Sequence, residues 1–155
     1  MTPAKKRLGL VGWILAALAA GWIGSLFMPG AWYESLAKPD WTPPGFIFAP
    51  VWTVLYILMG VAAWLVWRRD GFSAARLALS FFIAQLLLNA LWSYLFFGAH
   101  RPDLAYLEIV MLWVTILITT ILFWREKPLA GILLLPYLLW VSFASFLNLA
   151  IWQMN

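Results

Sequence analysis

Trp52, Asn89, Ser93, Trp140, Ala144 and Asn148 are the residues whose types and spacing best suit recognition of a ligand. Asn89 and Ser93 stand four residues apart, with Gln85 one turn earlier, so a helix puts all three on one face. Trp140, Ala144 and Asn148 repeat at the same interval, and Trp52 lies about five residues into another apolar run. Tryptophan offers a flat apolar face and one N–H donor, while amides and hydroxyls donate and accept. Together, polar groups and Trp from three runs would converge in one membrane half as a pocket. Asn and Ser in membrane helices also tie neighbouring helices together, and spacing alone leaves both roles open.

Other chemistries lack their residues. The chain has no Cys, which excludes disulfides, thiolate nucleophiles and thiolate-held metals. No Ser-His-Asp set, metal cluster or phosphate-binding loop is visible. The single histidine, His100, falls between Arg101 and a short linker and reads as a solvated loop residue. Glu108 lies about one turn inside an apolar run, where its carboxylate can snorkel to the interface; a proton-relay role is the alternative. No metal and no cofactor are expected.

The elements that must position these residues are membrane helices. Hydrophobic residues make up 65% of the chain and charged ones 10%, with a mean hydropathy of +0.90, too little polar surface for a water-facing exterior. Five uncharged runs, at about 8–28, 47–67, 75–97, 104–124 and 129–152, are each long enough to span about 30 Å of hydrocarbon as helix. Residues 1–155 thus read as a single all-α transmembrane domain, a five-helix bundle. The first run competes with a signal-peptide reading, because Ala17-Leu18-Ala19 resembles a cleavage site. The run continues past that point, however, and Gly12, Ala16, Ala20 and Gly24 recur every fourth residue as a smooth stripe. That stripe suits either a homodimer or packing within the chain. Pro136 is expected to bend the fifth run or end a half-helix there.

Charge orients the bundle. Lys5, Lys6, Arg7, Arg68, Arg69, Arg76, Arg125 and Lys127 fall at one end, against Lys38 and Arg101 at the other. This predicts a cytoplasmic N-terminus, with a bacterial cell membrane as the expected location. A net charge of +4 spread this way serves topology, and nucleic acid is not an expected partner.

The first connection, residues 29–45, reads PGAWYESLAKPDWTPPG. Its four prolines stiffen it, and Trp32, Tyr33 and Trp41 are more aromatic than a disordered segment carries. It is expected to fold as a lid over the bundle mouth, with Trp32, Lys38, Trp41 and Pro44 as lid residues; an interfacial aromatic belt is the plainer alternative.

The pattern W-Y-x-x-L-x-K-P-x-W-x-P-P from Trp32 to Pro44, followed by Trp52 and Tyr56, closely resembles the TspO family of tryptophan-rich sensory and translocator proteins. The resemblance continues through Asn89, Trp92 and Ser93, then Pro136-Tyr137 and Trp140, and Leu147-Asn148, so it covers essentially the whole chain. It implies a five-helix bundle, usually dimeric, whose first loop lids a pocket for tetrapyrroles and for isoquinoline-carboxamide or benzodiazepine-type ligands. Carried over by motif, the pocket residues would be Tyr33, Pro43, Trp52, Asn89, Trp92, Ser93, Trp140 and Ala144, beside Asn148 from the spacing argument. One departure matters: the sterol motif of vertebrate members needs Tyr and then Lys or Arg, and residues 144–153 contain neither, so sterol recognition by that motif is not expected.

For a porphyrin such as protoporphyrin IX, Trp52, Trp92 and Trp140 would stack on or edge the ring, and Asn89 and Ser93 would hydrogen-bond a substituent. Lys38 or Arg101 would meet the propionates. Haem fits less well than free porphyrin, because no axial ligand is expected at pocket depth. A receptor or carrier is the leading reading. Light-dependent porphyrin degradation through Trp52 and Trp140, with no acid–base pair, and a porphyrin or sterol transporter are the alternatives.

Overall fold

The structure is a computed structural model that describes residues 1–27 and 29–155; among these it holds helices and loops and no strand. Helix α1 spans Pro3–Ser25, α2 Ala31–Ser35, α3 Gly45–Asp70, α4 Arg76–Ser93, α5 Pro102–Glu126 and α6 Pro128–Met154. A π-helical turn, Tyr94–Gly98, prolongs α4. Except for the single-turn α2 inside the first loop, the described helices are long and apolar enough to cross a membrane, five in all. The five-helix membrane bundle is therefore present.

Local chemistry, and not the apolar stretch alone, sets the helix ends. The Thr2 hydroxyl accepts from the Lys5 N–H at 3.2 Å, and Pro3 occupies the first turn, so α1 starts there and carries the basic triplet inside it. Pro102 and Pro128 open α5 and α6 in the same way. Gly71, at φ +83°, ends α3 in a conformation that only glycine adopts cheaply. The first run was expected to extend to about Met28; α1 ends at Ser25, and Met28 lies outside the described residues.

Helix α6 does not stop at Pro136, contrary to the half-helix expectation, and α3 likewise runs through Pro50. A proline removes one backbone bond, and the packed turns on either side keep the helix continuous.

Each spanning helix packs most extensively on two others, in the circular order α1, α3, α6, α5, α4 and back to α1, and α3 also touches α4 and α5. Lipid tails are as apolar as leucine, so close packing and small residues must hold such helices together. Ala17, Ala62, Ala63, Ala78, Ala105 and Ala130 are accordingly buried. A Cβ on Gly60 would stand 2.5 Å from the Ile14 Cα, so α1 and α3 touch backbone to backbone there. Phe82 stacks on Phe123, with ring centroids 5.6 Å apart, at the centre of the core.

The small-residue stripe on α1 divides. Ala20 is buried and Gly24 lies against Ser93, whereas Gly12 has no neighbour within 4 Å and Ala16 is exposed. The face packed inside the chain is instead Trp13, Ala17, Ala20, Gly21 and Gly24, with Gly21 directly under the Tyr56 ring.

Candidate ligand site beneath the first loop

The first loop is held down at several points. Lys38 reaches back so that its ammonium donates to the carbonyls of Tyr33 at 2.8 Å and Leu36 at 3.1 Å, and it sits 4.7 Å from the Tyr33 ring centroid. At the far end of the chain, Asn155 clasps Ala37. Its Oδ1 accepts from the Ala37 N–H at 3.0 Å, and its Nδ2 donates to the Ala37 carbonyl at 2.9 Å. The Thr42 hydroxyl donates to the Pro39 carbonyl at 2.7 Å, and Pro44 sits at the start of α3. Burial raises the Tyr33 phenol above its ordinary pKa, so it stays a neutral hydroxyl across ordinary pH.

Two aromatic groups lie below the loop. On one side Trp32 and Tyr33 pack edge-on to Phe96, Tyr33 also meets Phe97, and Trp92 stacks on Phe96 at 5.2 Å. The π turn aims Phe96 and Phe97 at the loop. It places the Ala99 N–H 2.7 Å from the Tyr94 carbonyl, a register that a uniform apolar run does not announce. His100, in the left-handed region at φ 55°, stays exposed as expected but lies flat on Trp32, with centroids 4.3 Å apart.

On the other side Trp41 meets Phe143 at 5.7 Å, Phe143 meets Trp140 at 5.5 Å, and Trp140 meets Phe48 at 6.0 Å. Beside this row an open groove of about 400 Å³ runs between α3 and α6, lined by Val51, Leu55, Pro136, Leu139, Trp140 and Phe143. Pro43 and Ala144 are half-buried near it in sequence, and Ala144 packs on the main core. Trp52, next in sequence to the lining residue Val51, stacks on Tyr56 at 5.5 Å and packs edge-to-face with Tyr137 at 6.2 Å.

The polar residues form a chain between helices. The Tyr56 hydroxyl donates to Asn89 Oδ1 at 2.6 Å, Asn89 Nδ2 donates to the Tyr137 hydroxyl at 2.8 Å, and Tyr137 donates to Gln85 Oε1 at 2.6 Å. This ties α3, α4 and α6 together at membrane depth, where each unpaired group would be costly. Asn148 does similar work higher up: it accepts from the Trp92 N–H at 2.9 Å and donates to the Pro102 carbonyl at 2.9 Å. Ser93 turns to α1, with its hydroxyl against Gly24. Tyr56 and Tyr137 were not singled out by spacing. Their signal was a phenol hydroxyl inside an apolar run, which needs a partner.

One expectation about a charged group needs correction, and two other charged groups have partners within the chain. Glu108 does not snorkel: it is 5% exposed, and neither carboxyl oxygen has a hydrogen-bond partner among the described residues. It shares the inward stripe of α5 with Ala105 and Leu112, so rotation about the helix, not depth, decides its environment. Lys38 is engaged with loop carbonyls. Arg101 is paired with Asp103 through two bonds, of 3.0 and 2.8 Å, and that carboxylate raises the guanidinium pKa.

The sequence pattern of the TspO/MBR family matches residues 13–153. The chain is 42% identical over 158 aligned positions to the Tryptophan-rich protein TspO of Chlorobaculum tepidum, covering 97% of this chain and 98% of the relative. It is 40% identical over 147 positions to Protein CrtK of Rhodobacter capsulatus, covering 92% and 90%. The human Translocator protein is 37% identical over 150 positions, covering 94% and 89%. A match of this length and level, on a five-helix bundle with its aromatic first loop in place, makes the chain a member of the TspO/MBR family.

Proposed function

We propose that this chain is a membrane receptor or carrier for porphyrins, protoporphyrin IX among them, and for flat hydrophobic ligands of the benzodiazepine or isoquinoline type. The ligand binds in the half of the bundle beneath the first loop, which acts as its lid, and the role is tetrapyrrole regulation or stress sensing. The carrying observation is the row Trp41–Phe143–Trp140–Phe48 beside a groove of about 400 Å³ walled almost wholly by apolar side chains. Flat apolar walls favour a flat apolar ligand, and an opening between helices admits it from the bilayer. Trp52 follows the lining residue Val51 in α3 and stacks on Tyr56, whose hydroxyl donates to Asn89, so its ring is held in place near that wall. With eight of the ten basic residues at the opposite end, the lid faces away from the cytoplasm, in a bacterial cell membrane.

A dark titration with protoporphyrin IX, read by its visible absorbance, tests this. Wild type gives a saturable one-site change, and Trp52→Ala combined with Trp140→Ala loses it while the protein stays folded by circular dichroism. Equal, non-saturating partition into both proteins would remove the porphyrin reading. A second reading, light-driven oxidation of bound porphyrin by oxygen, is favoured by the stacked, oxidisable Trp52–Tyr56 pair. Illuminating the same sample separates the two: a binder leaves the pigment to bleach as it does in free solution, and an enzyme turns it over faster.

A further inference from the structure

At the end of the bundle away from the first loop, three chain segments meet around a second cavity. It measures about 500 Å³ and is lined by Lys6, Arg68, Arg69, Glu126 and Lys127 over a floor of Leu65 and Val66. The segments are held in register there. The Trp64 indole N–H donates to the Lys6 carbonyl at 2.8 Å, and the Arg68 guanidinium lies 4.7 Å from the Trp64 ring centroid. Trp67 presses against Gly9 so closely that no side chain fits at that position. The first turns of α1, the last turn of α3 and the α5–α6 junction therefore form one basic cup.

Topology alone does not call for such a cup. Orientation in the membrane needs Lys and Arg near helix ends, and scattered solvated side chains would serve. Here four cations converge on a concavity that contains one carboxylate, Glu126, while Asp70 takes part of the charge of Arg69 at 3.4 Å. Arg68 and Lys127 are half-buried, which raises the cost of leaving their charge without an anion. The cup lies where spanning helices end, at headgroup level, and exposed Leu8 and Leu129 follow Lys6 and Lys127 by two residues toward the bilayer. Basic pockets between helix ends recognise lipid phosphates.

We propose that this cup seats the phosphodiester headgroup of an anionic membrane lipid, of the phosphatidylglycerol or cardiolipin type, and that the bound lipid clamps α1, α3 and the α5–α6 junction together. The site is separate from the porphyrin reading and does not rest on it. A lipid is favoured over free phosphate because the cup lies at headgroup level, with exposed Leu8 and Leu129 following toward the bilayer.

The test uses the full chain in phosphatidylcholine nanodiscs with graded phosphatidylglycerol, reading thermal midpoint and, by native mass spectrometry, retained lipid. Wild type should gain stability saturably and keep phosphatidylglycerol in preference to phosphatidylcholine. Arg69→Gln with Lys127→Gln should weaken retention roughly tenfold or more. Lys5→Gln with Arg7→Gln removes the same charge from outside the cup and should retain lipid as wild type does. Glu126→Gln should bind more tightly, a gain that a damaged fold cannot imitate. Equal loss in both double variants, or no gain in Glu126→Gln, would reduce the effect to general surface potential and overturn the site. Equal protection by inorganic phosphate without anionic lipid would overturn the lipid assignment.

Discussion

At the residue scale, burial and partners separate side chains that the sequence could only group. Asn89, Gln85 and Asn148 were legible as polar residues on inward faces, but their partners were not, because Tyr56, Tyr137 and the Pro102 carbonyl come from other helices. Tyr137→Phe leaves Asn89 Nδ2 and Gln85 Oε1 each without its bond, and should cost about 1–2 kcal/mol of unfolding free energy. Thermal unfolding in a fixed bilayer composition reads that loss. Glu108 should behave oppositely. Its carboxyl is buried and unpartnered, so Glu108→Leu, of similar size and without the desolvated group, should raise the unfolding midpoint. A lower midpoint, or loss of porphyrin binding with the fold intact, would mean that the carboxyl holds a partner in the working state.

At the element scale, the run lengths gave the spanning helices and the proline-rich stretch gave the loop, because both signals are local. The π turn after α4 and the clasp of Asn155 on Ala37 were illegible. The first is a one-residue change of register, and the second joins positions 118 residues apart. That clasp is one of several fastenings of the loop and can be removed through one side chain. Asn155→Ala removes both bonds to the Ala37 backbone and leaves Lys38 and the aromatic contacts in place. If the loop lids the proposed site, porphyrin association and release should both quicken several-fold in stopped-flow measurements, with a smaller change in affinity. Chymotrypsin should also cut faster after Trp41, which Thr42 follows. Unchanged rates would show that the loop is not the gate. Gly60→Val tests the α1–α3 contact in the same manner: the new side chain must push Ile14 away, and overpacking of that kind costs about 1–3 kcal/mol.

At the scale of the whole molecule, composition made the class of protein plain, whereas the circular order of helices depends on pairings that no single helix encodes. The α1 stripe illustrates the difference. A four-residue repeat marks a smooth surface but does not say what lies against it. The fold uses Ala20 and Gly24 internally, and leaves Gly12 and Ala16 facing outward beside exposed Leu8, Leu15 and Trp22. An open small-residue face in lipid gains little from the lipid itself, yet it lets a second helix approach closely enough for dispersion contacts to accumulate. The outward half of the stripe is thus the surface on which a homodimer would form. Ala16→Leu places a bulky side chain on that face without touching the packed positions Ala17 and Ala20. The variant should keep the wild-type unfolding midpoint of the monomeric bundle and lose the dimer in crosslinking and single-molecule photobleaching. Ala20→Leu, aimed into the core, should lower the midpoint whether or not a dimer exists. A dimer that survives Ala16→Leu unchanged would move the interface off α1 and leave Gly12 and Ala16 as a surface for lipid alone.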